Sequence, residues 1–147
     1  MTMRKGWWWL AVLAWGAMIW LLSSSPFRSS ESKSLLEHIL EYFSLRPEFA
    51  AYANTVLRKA AHFAEYGLFS VLWYFALRPD GDPGIRQWSR RPAWAAVLAS
   101  SAFAVLDEFH QAFVPGRGAS LFDVFIDSAG ALFSILVLYR LACKRPQ

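Results

Sequence analysis

A chain of 147 residues, 56% hydrophobic and 17% aromatic with eight Trp, is the size of one domain and too apolar for an ordinary soluble one. Only 18% of its residues are charged, against about a quarter in soluble domains. The formal net charge of +4 is small and dispersed, and no RNA- or DNA-binding motif accompanies it, so a nucleic-acid partner is excluded and the basic excess fits the flanks of membrane helices. The single cysteine, Cys143, forbids an intrachain disulfide and reads as a packing residue near a helix end.

Residues 7–24 form the first predicted span: Trp7 to Leu22 carries no charge, and Ser23 and Ser24 extend it toward the roughly 20 residues that cross a bilayer core. A cleaved signal peptide over residues 1–25 is the competing reading, since Arg4-Lys5 precede the apolar run and three serines follow it. The length and Trp content of the run favour a retained span. Leu35, Leu36, Ile39, Leu40 and Phe43 then recur at helical spacing opposite Lys33, Glu37, His38 and Glu41, which predicts an amphipathic helix on the outer interface or packed as a lid. His38, on its polar face, reads as a solvated residue.

Pro47-Glu48 predicts a helix start leading into a second span over residues 60–77. A turn-rich stretch from Pro79 to Gly84 separates it from a third span over residues 93–114. After a Pro115-Gly116-Arg117-Gly118 turn, a fourth span covers residues 121–142. The reading is therefore an all-α, integral membrane four-helix bundle over residues 1–147, with an amphipathic outer-interface helix between spans one and two. Lys and Arg concentrate at both termini and in the loop between spans two and three, which puts those segments in the cytoplasm. Trp7, Trp8, Trp9, Trp73, Trp88, Trp94 and Tyr139 are then expected as an aromatic belt on that side.

The polar residues fall at the opposite, outward end. Residues three and four apart share a helix face, so Arg58, Lys59, His62, Glu65 and Tyr66 place His62 beside both a cation and a carboxylate. Asp107, His110 and Gln111 share a face of span three, with Glu108 toward Gln111, and Asp123 and Asp127 lie one turn apart in span four. Gly130 and Ser134 below them leave a small surface for close helix packing. Charges at membrane depth are expensive and face a protein interior or a watery crevice, so the gathering reads as one site.

Glu65, Asp107, Glu108, Asp123 and Asp127 bring five negative charges against three from Arg58, Lys59 and Arg117. Protonated His62 and His110, protonated acids or a divalent metal would close the deficit. No cofactor is predicted; His62, Glu65, Asp107 and His110 are the candidates should a metal be held, by analogy with carboxylate and His sites in helical bundles. Arg117, on a turn that lets a ligand approach the backbone, can take a phosphate or carboxylate in bidentate fashion and joins Arg58 and Lys59 in an anion-binding ledge. A purely structural network, with Arg58 or Lys59 clamping Glu65 and Arg117 clamping an aspartate, is the alternative.

The motifs Arg58-Lys59-x-x-His62-Phe63-x-Glu65-Tyr66, Asp107-Glu108-x-x-Gln111-x-Phe113-x-Pro115-Gly116-Arg117, and Asp123 with Asp127 ahead of Gly130 together resemble the VanZ-like family of bacterial membrane proteins. Members often carry a second glycine a few residues further on, where this chain has Phe133 and Ser134, which leaves the closeness of packing there open. The family is named for a protein linked to low-level teicoplanin resistance, and the resemblance implies a setting at the outer cell envelope. The expected function is a multi-pass protein of the bacterial cytoplasmic membrane that binds an anionic lipid headgroup or cell-wall precursor, with Arg58, Lys59, Glu108, Gln111, Arg117 and Asp127 as ligand-binding residues. A membrane enzyme is the first alternative, with His62, Glu65, Asp107, His110 and Asp123 as candidate catalytic groups. A lipid or proton translocator is the second.

Overall fold

The computed structural model describes residues 3–24, 47–79, 88–114 and 118–143. Among these, all regular structure is helical: α1 is Met3–Ser24, α2 Pro47–Leu77, α3 Arg90–Gln111 and α4 Leu121–Cys143. Each predicted span falls on one helix. The predicted amphipathic helix and Arg117 lie outside the described residues.

α2 begins at Pro47, as its sequence predicts, because proline's fixed φ and missing N–H suit the first helical position. Its 31 residues run unbroken for about 46 Å, more than a bilayer core needs. α3 tolerates Pro92 because it falls in the first turn, where the N–H has no helical partner. α3 stops at Gln111, three residues before the predicted end, and its C-cap N–H at Ala112 bonds the Glu108 carbonyl at 3.1 Å. The Ser120 carbonyl accepts from the N–H groups of Asp123 and Val124 and so opens α4.

By length and composition, two helical stretches among the described residues can cross a membrane: Lys5–Ser24 and Leu121–Cys143. α2 and α3 are long enough but carry the polar clusters, which lower their hydropathy. Much of the apolar surface faces outward, including Leu13 and Leu21 of α1, Leu98 and Phe109 of α3, and Phe125 and Leu136 of α4. Soluble monomers rarely show so much contiguous apolar surface.

α2 is the central helix and packs against the other three. Toward α1 it buries Val12, Ile19, Tyr66 and Phe69 in one cluster; toward α3 and α4 it buries Tyr74 with Ala93, Ala96, Ile135 and Leu138 in another. The expected aromatic belt divides. Trp7 and Trp94 are exposed, whereas Trp8 stacks on Phe75 at 4.8 Å and Trp9 meets Trp73 edge-on at 5.4 Å. These inner tryptophans glue α1 to α2, because only some positions of α1 can face lipid once α2 is beside it. Cys143, read from sequence as a packing residue, is exposed at the end of α4.

The closest approach is between α2 and α4. A Cβ on Gly130 would collide with the backbone carbonyl of Phe63, and one on Gly67 would collide with the Ser134 hydroxyl. The Ser134 position that departs from the expected glycine therefore packs closely all the same, with Gly67 supplying the missing space from the facing helix.

Candidate functional site

The polar clusters meet at the end of the bundle formed by the C-termini of α1 and α3, the middle of α2 and the start of α4. Asp107 is fully buried on α3. The Ser23 hydroxyl donates to its Oδ2 at 2.8 Å, and the Gln111 amide donates to the same oxygen at 2.9 Å from one turn further on. Gln111 also reaches the Ser23 hydroxyl at 3.4 Å. Asp107 thus ties the end of α1 to α3. Glu108, buried beside it, accepts the Ser120 backbone N–H at 2.8 Å and ties α3 to the entrance of α4.

α2 and α4 are joined by two charge contacts. Lys59 donates to Asp123 Oδ1 and lies over the Phe122 ring, 4.9 Å from its centroid. One turn deeper, His62 Nδ1 is 3.8 Å from Oδ1 of Asp127, a residue only 1% exposed. The structural alternative read from the sequence set Arg58 or Lys59 against Glu65 on their own helix; the structure pairs Lys59 with Asp123 instead. Lys59 and Glu65 are six residues apart, off the i, i+4 spacing, and the neighbouring helix comes so close at Gly130 that its aspartates reach Lys59 and His62.

Asp127 is the centre of the cluster. Glu108, Asp107, Asp123 and Glu65 all lie within electrostatic reach of it, and Tyr66 senses Asp107, Asp127 and Glu108 in the same way. Among the described residues, neither carboxylate oxygen of Asp127 has a hydrogen-bond partner. Glu65 is half-buried, and its backbone carbonyl accepts the Trp15 indole N–H at 3.0 Å. Arg58 is exposed at the rim.

His110 stands apart from this arrangement. Its ring stacks on Trp20 of α1, with centroids 4.2 Å apart, and so turns toward α1 rather than toward His62. Among the described residues, no three His, Cys, Asp or Glu side chains are grouped to hold a metal ion. The four metal candidates are therefore not grouped as one ligand set there, and the His110 ring lies against Trp20 of α1. Three contributors were missed by sequence reasoning. Ser23 was placed only at the right depth, and Ser120 and the carboxylate preference of His62 carried no signal, since each depends on which helices are neighbours.

The family model VanZ/LLP1 matches residues 8–142. The chain belongs to this family. Its membership and the two apolar helices make it a membrane protein. No curated protein and no solved structure matches the chain. The matched region of this VanZ-like protein contains every residue of the polar cluster.

The Lys59–Asp123 contact gives a direct test of how the cluster is balanced. Both side chains are more than a quarter exposed, so the pair itself is worth about 1 kcal/mol or less. The two truncations should still differ. Lys59→Ala removes a cation from among five acids, whereas Asp123→Ala removes one of the acids. Lys59→Ala should therefore lower the melting temperature in detergent more than Asp123→Ala, and Asp123→Ala in the Lys59→Ala background should recover part of the loss. Equal losses from the two single variants would show that pairing, not charge balance, sets the stability.

Proposed function

We propose that this VanZ-like protein crosses the bacterial cytoplasmic membrane four times and uses its outward-facing polar end to bind the headgroup of an anionic lipid or lipid-linked cell-wall precursor. One observation carries the reading: acids from three helices converge on the buried Asp127, whose carboxylate accepts no hydrogen bond among the described residues, with Arg58 and Lys59 at the rim above it. Asp107, Glu108 and Gln111 build the scaffold by tying α1, α3 and α4 together. Arg58, with Arg117 from the loop, offers guanidinium groups for a phosphate or carboxylate. Asp127 and Glu65 accept hydrogen bonds from hydroxyl or amine groups of the same headgroup. Such a ligand at the outer leaflet accords with the glycopeptide resistance from which the family takes its name.

A second reading has one observation in its favour. His62 Nδ1 lies 3.8 Å from the buried Asp127 carboxylate, a neighbour that can steady the cationic form of a histidine acting as general base. On that reading the protein is an enzyme acting on an envelope lipid. Lipid and metal analysis of gently purified protein separates the two. Co-purified anionic lipid, lost on Arg58→Ala or Arg117→Ala but unchanged chemically over time, supports binding. Conversion of that lipid, abolished by His62→Gln, supports catalysis. Protein that retains no anionic lipid above the level of a neutral one overturns both.

The orientation has its own test. The natural Cys143 and an introduced Ala119→Cys both sit at exposed positions, at opposite ends of α4. In intact cells an impermeant maleimide should label Ala119→Cys, made in a Cys143→Ser background, and spare Cys143. The reverse pattern would move the polar end to the cytoplasm.

A further inference from the structure

At the far end of the bundle from the acids, a groove of about 310 Å³ runs between the start of α3 and the end of α4. Arg90 and Asp107 are 17 residues apart on one helix, so the groove mouth lies about 25 Å from the polar cluster. Ala93 and Val97 form one side and Ile135 the other, and Trp88 and Tyr139 close the end. Arg90 stands at the mouth, exposed, and among the described residues no Asp or Glu lines the groove.

We propose that this groove is a second, separate lipid site, which takes one acyl chain of an anionic glycerophospholipid and holds its phosphate on Arg90. The end wall is built in advance. Trp88 stacks on the buried Tyr74 with centroids 5.1 Å apart and meets Tyr139 edge-on at 5.1 Å. The Tyr74 hydroxyl accepts the Ser89 backbone N–H at 3.4 Å, which fixes the turn that carries Trp88 and Arg90. A rigid wall loses little entropy when a chain settles against it. Small Ala93 provides depth, and aromatic rings with an arginine at the mouth match the level where acyl chains meet headgroups.

Charge selects the occupant. Arg90 lines the groove, Arg91 and Arg140 follow the lining residues Arg90 and Tyr139 in sequence, and all three are exposed; basic groups beside a membrane helix favour anionic headgroups over zwitterionic ones. A second copy of the chain is a poorer occupant, because a symmetric contact on this face would bring two sets of these arginines together. The site does not depend on what the polar end binds.

The test uses the full chain in phosphatidylcholine nanodiscs carrying a trace of phosphatidylglycerol with a photoactivatable acyl chain, and maps the adducts by mass spectrometry. Adducts should concentrate on residues 93–97 and 132–139, with about fivefold preference over a matched photoactivatable phosphatidylcholine. Arg90→Gln should remove that preference without changing the melting temperature. Leu136→Trp, at an exposed position on the groove wall, should reduce labelling by both lipids. Adducts spread evenly over the lipid-facing helices, a preference that survives Arg90→Gln with Arg91→Gln, or a dimer whose groove stays unlabelled would overturn the proposal. Adducts found only near Lys59 would also overturn it, while leaving the polar-end site standing.

Discussion

Gly130→Ala is expected to destabilise the protein by about 3 kcal/mol, although the same change in an unconstrained helix gains about 1 kcal/mol. The reason is geometric. The new methyl would overlap the Phe63 carbonyl, and that obstacle is backbone inside α2, which cannot rotate aside. The two helices must separate, and close approach between small residues is what holds membrane helices together in the absence of a hydrophobic drive. The damage should reach the site, since His62 precedes Phe63 and Asp127 lies one turn before Gly130. Moving the helices apart lengthens the His62–Asp127 contact. Gly67→Ala meets the Ser134 hydroxyl first, and a serine can change rotamer, so its cost should be nearer 1 kcal/mol. Ser134→Gly should relieve Gly67→Ala and leave Gly130→Ala unrepaired. Melting temperatures of the four variants in one detergent check the ranking. A Gly130→Ala protein as stable as the parent would mean that α2 and α4 do not approach this closely.

The same contact explains what the sequence could and could not disclose. Four helical segments were legible because each apolar run is long and ends at serine, proline or a turn. The depth of the polar groups was legible too, because a charged residue's distance from the end of its run fixes its level. Which groups touch was not. Helical spacing offers Lys59 neighbours on α2 alone, and the nearest acid there, Glu65, is six residues away and off its face. The choice of Asp123 instead depends on the rotation of α4 about its own axis, which Gly130 and Gly67 settle through their missing side chains. His110 shows the same limit. It shares a helical face with Asp107, yet stacking on Trp20 turns its ring to α1, and nothing local to α3 encodes that neighbour. The aromatic belt failed for Trp8 and Trp9 because composition marks membrane interfaces but does not say which face of a Trp-rich helix meets protein.

Asp107 separates scaffold from charge. It is fully buried, and its Oδ2 receives both Ser23 and Gln111. Asp107→Ala strands the buried Ser23 donor at roughly 1–3 kcal/mol, takes the shorter of its two bonds from the Gln111 amide, and weakens the tie between α1 and α3. One effect opposes this, because the change also removes a carboxylate from a crowd that includes Glu108 and Asp127. The expected net loss is about 2 kcal/mol, with the end of α1 loosening first. Asp107→Asn keeps an oxygen for Ser23 and Gln111 while removing the charge, so it should match the parent in stability or exceed it. Melting temperature and hydrogen exchange of residues 18–24 measure both outcomes. If Asp107→Asn instead falls as far as Asp107→Ala, the negative charge itself is required. The cluster would then hold a cationic group against Asp107, and lipid retention by Asp107→Asn would show whether that cation belongs to the bound headgroup.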